Sequence, residues 1–271
     1  MGSMSDVHAK FAGSIPANYD RYLRPFVFEP YARDLVRRLK AGSGLRVLEL
    51  ACGTGVVTDH LLRALDDGGT IVATDLNPDM IEIARKRLGT NRVEWRVADA
   101  TSLPFDDGTF DAVLCQYGWM FFPDKPRAMR EAHRVLKPAG RLLFNVWDAL
   151  DRNEGAQLAD ALYHRVLGAD APTFFSVPYG MSDSEPVKRM LVDAGFSDVR
   201  SESVEFTGET ESAAHAAYAW LDGSPVLNEI VARRPDAVDS LREQLGQEFA
   251  RKFGPGIIRT RMKAFVFSAT R

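Results

Sequence analysis

Glycine, acidic and polar residues cluster directly behind four short apolar runs in the first half of the chain. Residues 46–55 read RVLELACGTG, an apolar run that breaks into Ala51, Gly53 and Gly55, with the acid Glu49 just ahead of the turn. Glycine suits a backbone of positive φ or one passing close to a ligand. The amphipathic segment behind it, 56–65, begins a helix whose first N–H groups and dipole face the turn. Asp75 ends the next apolar run, Asp99 followed by Ala100 the third, and Gln116-Tyr117 the fourth. A parallel sheet sets all these carboxyl ends on one edge, where open α/β folds bind ligands. A carboxylate one strand–helix unit beyond the glycine turn can accept from both hydroxyls of a ribose. A second, at Asp99, can reach a purine amine. The spacing describes an adenosine site.

The group attached to the adenosine follows from what the turn lacks. A dinucleotide fingerprint is G-x-G-x-x-G, whereas here Val56, Val57 and Thr58 follow Gly55 and the third glycine is missing. A pyrophosphate is repelled by an acid such as Glu49, and a sulfonium with an ammonium group is not. Both differences favour S-adenosylmethionine over NAD. An NAD(P)-dependent oxidoreductase and a non-catalytic S-adenosylmethionine-binding protein are the alternatives.

The elements that carry these residues alternate. Strands are predicted at 45–50, 70–74, 92–97, 110–115 and 141–147. A helix precedes the first, with Phe28, Tyr31, Leu35 and Leu39 on one face, and 5–26 reads as irregular. Asn77 and Pro78 open another helix as N-cap and first residue, and 123–137 forms a third, stopped by Pro138 and Gly140. Alternation of this kind means a doubly wound α/β sheet. Beyond it, 153–168 is helical, Ser182 and Glu185 suggest a capping box, 199–206 is a strand, and 211–253 is helical with breaks at 223–225 and Pro235. A last strand at 263–270 can lie antiparallel.

Bulk properties narrow the classes. The chain has 271 residues, 45% of them hydrophobic, and a net charge of −3. That suits one domain over 1–271. No Lys/Arg block points to nucleic acid, no apolar run is long enough to span a membrane, and no signal peptide is expected. Residues 1–3 ahead of Met4 read as an expression remnant. Two cysteines, Cys52 and Cys115, read as small buried hydrophobes of a reducing, cytoplasmic protein, and no metal-ligand spacing occurs.

The segments VLELACGTG, Asp75, Asp99-Ala100, FDAVLCQYGWMFFPD and REAHRVLKPAGRLLF together resemble the class I S-adenosylmethionine-dependent methyltransferases. Within them the chain is similar to the small-molecule enzymes of the ubiquinone/menaquinone type (methyltransferase type 11), over residues 45–147. The resemblance implies a seven-stranded, mostly parallel sheet whose last strand is antiparallel. It implies an N-terminal cap at 5–44, a cofactor core at 45–150, lid insertions at 151–181 and 208–256, and the last strand at 262–271. Ala51 stands where the family often has glycine, and a negative φ is expected there. By the same resemblance Gly53, with Ala51, Thr54 and Gly55, approaches the methionine moiety, and Glu49 orders the turn or nearby waters and reaches toward the ammonium indirectly. Asp75 takes the ribose, Leu76 and Met80 flank adenine, Asp99 and Ala100 meet its edge, and Gln116 and Tyr117 lie near the methionine or the methyl group. Tyr22 or Tyr19 folds over the cofactor.

The acceptor pocket is expected from 8–30, 117–122, 148–181 and 208–256, with Tyr19, Trp119, Phe122, Phe174, Phe175, Tyr179 and Trp220 as its wall. The partner implied is a small apolar or aromatic molecule methylated at O, N or C, leaving S-adenosylhomocysteine as product, with the enzyme a monomer or homodimer. Positioning dominates the expected mechanism. Tyr117, Tyr19, His164 and His215 are the candidates for catalytic assistance, and His60 and His133 read as structural.

Overall fold

The computed structural model describes residue 11, residues 13–39 and residues 42–271. The expected remnant at 1–3 and the parts of the expected cap at 5–10, 12, 40 and 41 lie outside the described residues. In order, the elements are α1 (Glu29–Arg37), β1 (Arg46–Leu50), α2 (Val56–Ala64), β2 (Thr70–Asp75), α3 (Pro78–Leu88), β3 (Val93–Val97) and β4 (Phe110–Gln116). They continue as α4 (Lys125–Val135), β5 (Leu136–Trp147), α5 (Glu154–Leu167), α6 (Ser184–Asp193) and β6 (Ser197–Thr210). The chain closes with α7 (Ala213–Leu221), α8 (Val226–Arg233), α9 (Val238–Phe253) and β7 (Ile258–Thr270).

The seven strands run in the order β3-β2-β1-β4-β5-β7-β6. The pairs β2–β3, β1–β2, β1–β4 and β4–β5 are parallel, and β7 runs antiparallel to β5. The expected doubly wound, mostly parallel sheet is therefore present. Val47, Leu48 and Leu50 are buried on β1, as befits a central strand covered on both faces. Strand order reverses between β2 and β4 on either side of β1, the position at which such sheets open a crevice at their carboxyl edge.

Four expectations change. Residues 15–28 are helical, not irregular: a turn at Ile15–Asn18 runs into Tyr19–Phe28, wound as a wider π-helix that contains Pro25. The Glu29 N–H reaches back five residues to Arg24 O, and Leu23, Phe26, Val27 and Phe28 are buried. That spacing departs from the 3.6-residue period, which is why the segment reads as irregular. Secondly, α4 stops at Val135, before Pro138 and Gly140, which lie inside β5. Ala139 is left-handed there, and the β4–β5 register shifts between Phe110 and Ala112, an irregularity that accommodates a proline in the strand. Thirdly, α6 is capped by Asp183, whose carboxylate accepts from Glu185 N at 3.0 Å, rather than by a Ser182 box. The fourth change, at Ala51, belongs to the site.

The chain divides into two compact units. Among the described residues, the sheet unit holds those of Tyr31–Trp147, Met181–Val204 and Ala264–Arg271, and the helical unit those up to Pro30 with Asp148–Gly180 and Glu205–Lys263. In the helical unit, Asn153 ties the start of α5 to β7, donating to Ala149 O at 3.0 Å and accepting from Lys263 N at 3.1 Å. Arg242 of α9 grips both Asp222 oxygens at 2.9 and 2.8 Å. Among the described residues no helix is long and apolar enough to cross a membrane.

Candidate functional site

The glycine turn leaves β1 through three left-handed residues, Ala51 (φ 51), Gly53 (φ 55) and Gly55 (φ 82). Ala51 thus contradicts the expected negative φ. The turn requires the left-handed form, and alanine, with the smallest side chain that is not hydrogen, fits because residue 118 is glycine. A Cβ on Gly118 would lie 2.6 Å from the Ala51 Cβ. Arg87 braces the turn from α3, donating to Thr54 O at 3.0 Å and Gly55 O at 2.7 Å. No side chain caps α2, whose N-cap is Gly55 itself, so its first N–H groups are met by no capping side chain. Thr54 Oγ1 is buried without a partner among the described residues.

Glu49 turns its carboxyl inward. It is only 2% exposed and accepts from the Thr58 hydroxyl at 2.6 Å, joining the end of β1 to the first turn of α2. Burial lifts its pKa from 4.5 to about 8; the Thr58 bond opposes this, neighbouring Asp75 adds to it, and Arg87 opposes it. A folded value above the unfolded one means that the fold favours the protonated acid. Its stabilising contribution is full below pH 4.5 and is lost as pH rises through about 8. Urea midpoints of the wild type and Glu49→Gln are therefore expected to diverge as pH rises from about 5 to about 8.5, with the wild type falling further. A constant difference across that range would refute the assignment.

Asp75 spans the turn and the next helix. Its Oδ2 accepts from Gly53 N and its Oδ1 from Asn77 N, both at 2.8 Å. Burial raises its pKa, against the pull of these N–H groups. Asn77 caps α3 with Pro78 behind it, as expected. Beside Asp75 stand two exposed apolar side chains, Leu76 (65%), next in sequence, and Val97 (57%) of β3, paired in register with Asp75. Met80 is buried. Asp99 is exposed and its Oδ1 accepts from Thr101 N and Oγ1, both at 2.8 Å, with Ala100 buried beside it. Gly53, Asp75 and Asp99 are thus brought to the carboxyl edge of three adjacent parallel strands.

At the end of β4, Gln116 is followed by Tyr117 in the left-handed region (φ 53). The Tyr117 ring stacks on Trp147 at 3.8 Å and meets Tyr31 edge-on at 5.5 Å. Trp119, expected in the acceptor wall, has 0% exposure and packs on Phe122 and Phe144. It fills the core of the sheet unit. His133, expected to be structural, packs edge-on to Phe196.

The other candidates lie in the helical unit. Tyr19 stacks on Phe28 and meets Phe11 edge-on. Tyr22 stacks on Tyr218 at 5.1 Å and touches His215, which itself approaches Glu211 at 3.3 Å. His164 is on the exposed face of α5, 3.5 Å from Asp160. Phe174, Phe175, Tyr179 and Trp220 converge in one buried cluster, to which α5 adds Tyr163, a residue sequence reasoning missed. Arg87, Thr58 and Asn145 were also missed.

The family model described as "Methyltransferase domain" matches residues 48–144. A ubiquinone/menaquinone biosynthesis C-methyltransferase, UbiE, of Shewanella frigidimarina is 31% identical over 235 residues, covering 80% of this chain and 92% of that protein. The chain belongs to the class I S-adenosylmethionine-dependent methyltransferases. This methyltransferase also shares its fold with YcgJ of Bacillus subtilis, at TM-score 0.58 and 20% identity over 89% of this chain and 98% of that one. A phosphoethanolamine N-methyltransferase 2 of Haemonchus contortus aligns with all of this chain and 60% of its own, at TM-score 0.64 and 16% identity. The methyltransferase uses S-adenosylmethionine to methylate a small molecule. The buried, unpartnered Thr54 hydroxyl and the exposed Leu76 and Val97 at the sheet edge fit such a cofactor, one polar and one apolar part each.

Proposed function

We propose that the acceptor is a small aromatic molecule bearing oxygen substituents, methylated at a ring carbon. The observation behind this reading is the buried cluster around Phe175. Tyr163 lies parallel to that ring at 6.4 Å, with Tyr179 and Trp220 each at 6.2 Å. Two of its members, Tyr163 at the hydroxyl and Trp220 at Nε1, are buried there without hydrogen-bond partners among the described residues. Unmet buried donors are costly, and an acceptor's oxygens would satisfy them while its ring stacked on the aromatic faces. The relative's name supports carbon as the methylated atom.

On this reading Asp75 holds the ribose hydroxyls, Leu76 and Met80 flank the adenine, and Asp99 with Ala100 meets its edge. Ala51, Gly53, Thr54 and Gly55 line the methionine half beside Gln116 and Tyr117, and Glu49 orders the turn through Thr58. When bound, S-adenosylmethionine supplies a methyl group already activated by its sulfonium charge. What the protein adds is alignment of donor and acceptor and exclusion of water. We expect a cytoplasmic enzyme, a monomer or homodimer. Profiling with methyl-labelled cofactor tests the acceptor: label on a ring carbon of phenols or quinols supports it. Turnover only of aliphatic amines, protein or RNA overturns it.

A further inference from the structure

We infer that Asn145 is a positioning residue for the cofactor site, acting through the main chain of Tyr117. The inference rests on the reading that Gln116 and Tyr117 line the methionine half. Asn145 stands on β5 directly opposite Gln116 of β4. It is the one polar side chain in LLFNVW and has 0% exposure. A carboxamide at such a place is costly unless it is used.

Its use is visible at one end only. The Tyr117 N–H donates to both the Asn145 side chain (Oδ1, 3.1 Å) and the Asn145 main-chain oxygen (3.2 Å). Tyr117 is the residue that leaves β4 with φ 53, a conformation tyrosine does not hold by preference. Its ring is fixed separately, by the stack on Trp147 and the edge contact with Tyr31. The two acceptors of Asn145 therefore hold the part the ring does not: the peptide between Gln116 and Tyr117. The other end of the carboxamide, Nδ2, has no partner among the described residues. A leucine of similar size would fill the same space without leaving a donor unmet, so burial in the strand gives no reason for asparagine. Holding Tyr117 in its left-handed form does.

The test is a double-mutant cycle read by calorimetric titration with S-adenosylhomocysteine, with thermal melting of each variant alongside. N145L is expected to melt near the wild type and to bind about tenfold more weakly. Y117G also binds more weakly, because the ring is gone. The pair N145L/Y117G is expected to bind no worse than Y117G alone, since glycine takes the left-handed form unaided. Wild-type affinity in N145L, or penalties that simply add, overturns the inference. Should N145L not fold, N145S, too short to reach the Tyr117 N–H, gives the same comparison. If Y117G itself binds as tightly as the wild type, the reading that places Tyr117 beside the cofactor has failed instead.

Discussion

Asp75→Ala is expected to weaken S-adenosylhomocysteine binding about a hundredfold. Hydrogen bonds to a charged group are worth about 1.5–3 kcal/mol each, and each 1.4 kcal/mol is about tenfold in affinity. Alanine removes the acceptor of the Gly53 and Asn77 N–H groups, so the turn loses the tie that fixes it to β2. It also removes the carboxylate assigned to the ribose. Asp75→Asn keeps one acceptor oxygen and is expected to fall between the two. Calorimetric titration measures both, and an Asp75→Ala variant that binds within about threefold of the wild type would remove Asp75 from the site.

Gly118→Ala is expected to cost about 3 kcal/mol of stability, the upper end for overpacking. Its backbone, at φ −92 and ψ −38, is open to alanine, so conformation is not the cause. The added Cβ would lie 2.6 Å from both the Ala51 Cβ and the Cys115 Sγ. These neighbours belong to the turn after β1 and to β4, and neither is the free end of a long chain. Urea denaturation reads the loss, and cofactor affinity falls with it because Ala51 must move. Ala51→Gly in the same chain should return part of the stability, by removing one clash and the left-handed alanine, worth about 1–2 kcal/mol. Unchanged stability in Gly118→Ala would refute the tight approach of the two loops.

The glycine turn, the Asp75 and Asp99 strand ends and the parallel alternation were legible in sequence because each depends on residues close along the chain. What was not legible depends on residues far apart. The sign of φ at Ala51 is permitted by Gly118. Asn145 reads as one polar residue in a core strand, and only the strand pairing sets it against Tyr117. Arg87 lies in the last turn of α3, and only the fold carries its guanidinium to the carbonyls of Thr54 and Gly55. His164 has the chemistry of a proton-transfer group, but the helix turns it to solvent and buries its neighbour Tyr163. Helix phase, not residue type, decides between those two. Trp119 likewise has the chemistry of a pocket wall and the location of a core residue.

A crystal structure of the protein with S-adenosylhomocysteine tests the site most directly. The predicted result is a nucleoside along the carboxyl edge of β1, β2 and β3, its ribose hydroxyls bonded to the Asp75 carboxylate and its adenine covering Leu76. A nucleoside bound elsewhere, with Asp75 bonded only to Gly53 and Asn77 and Leu76 still exposed, would contradict it.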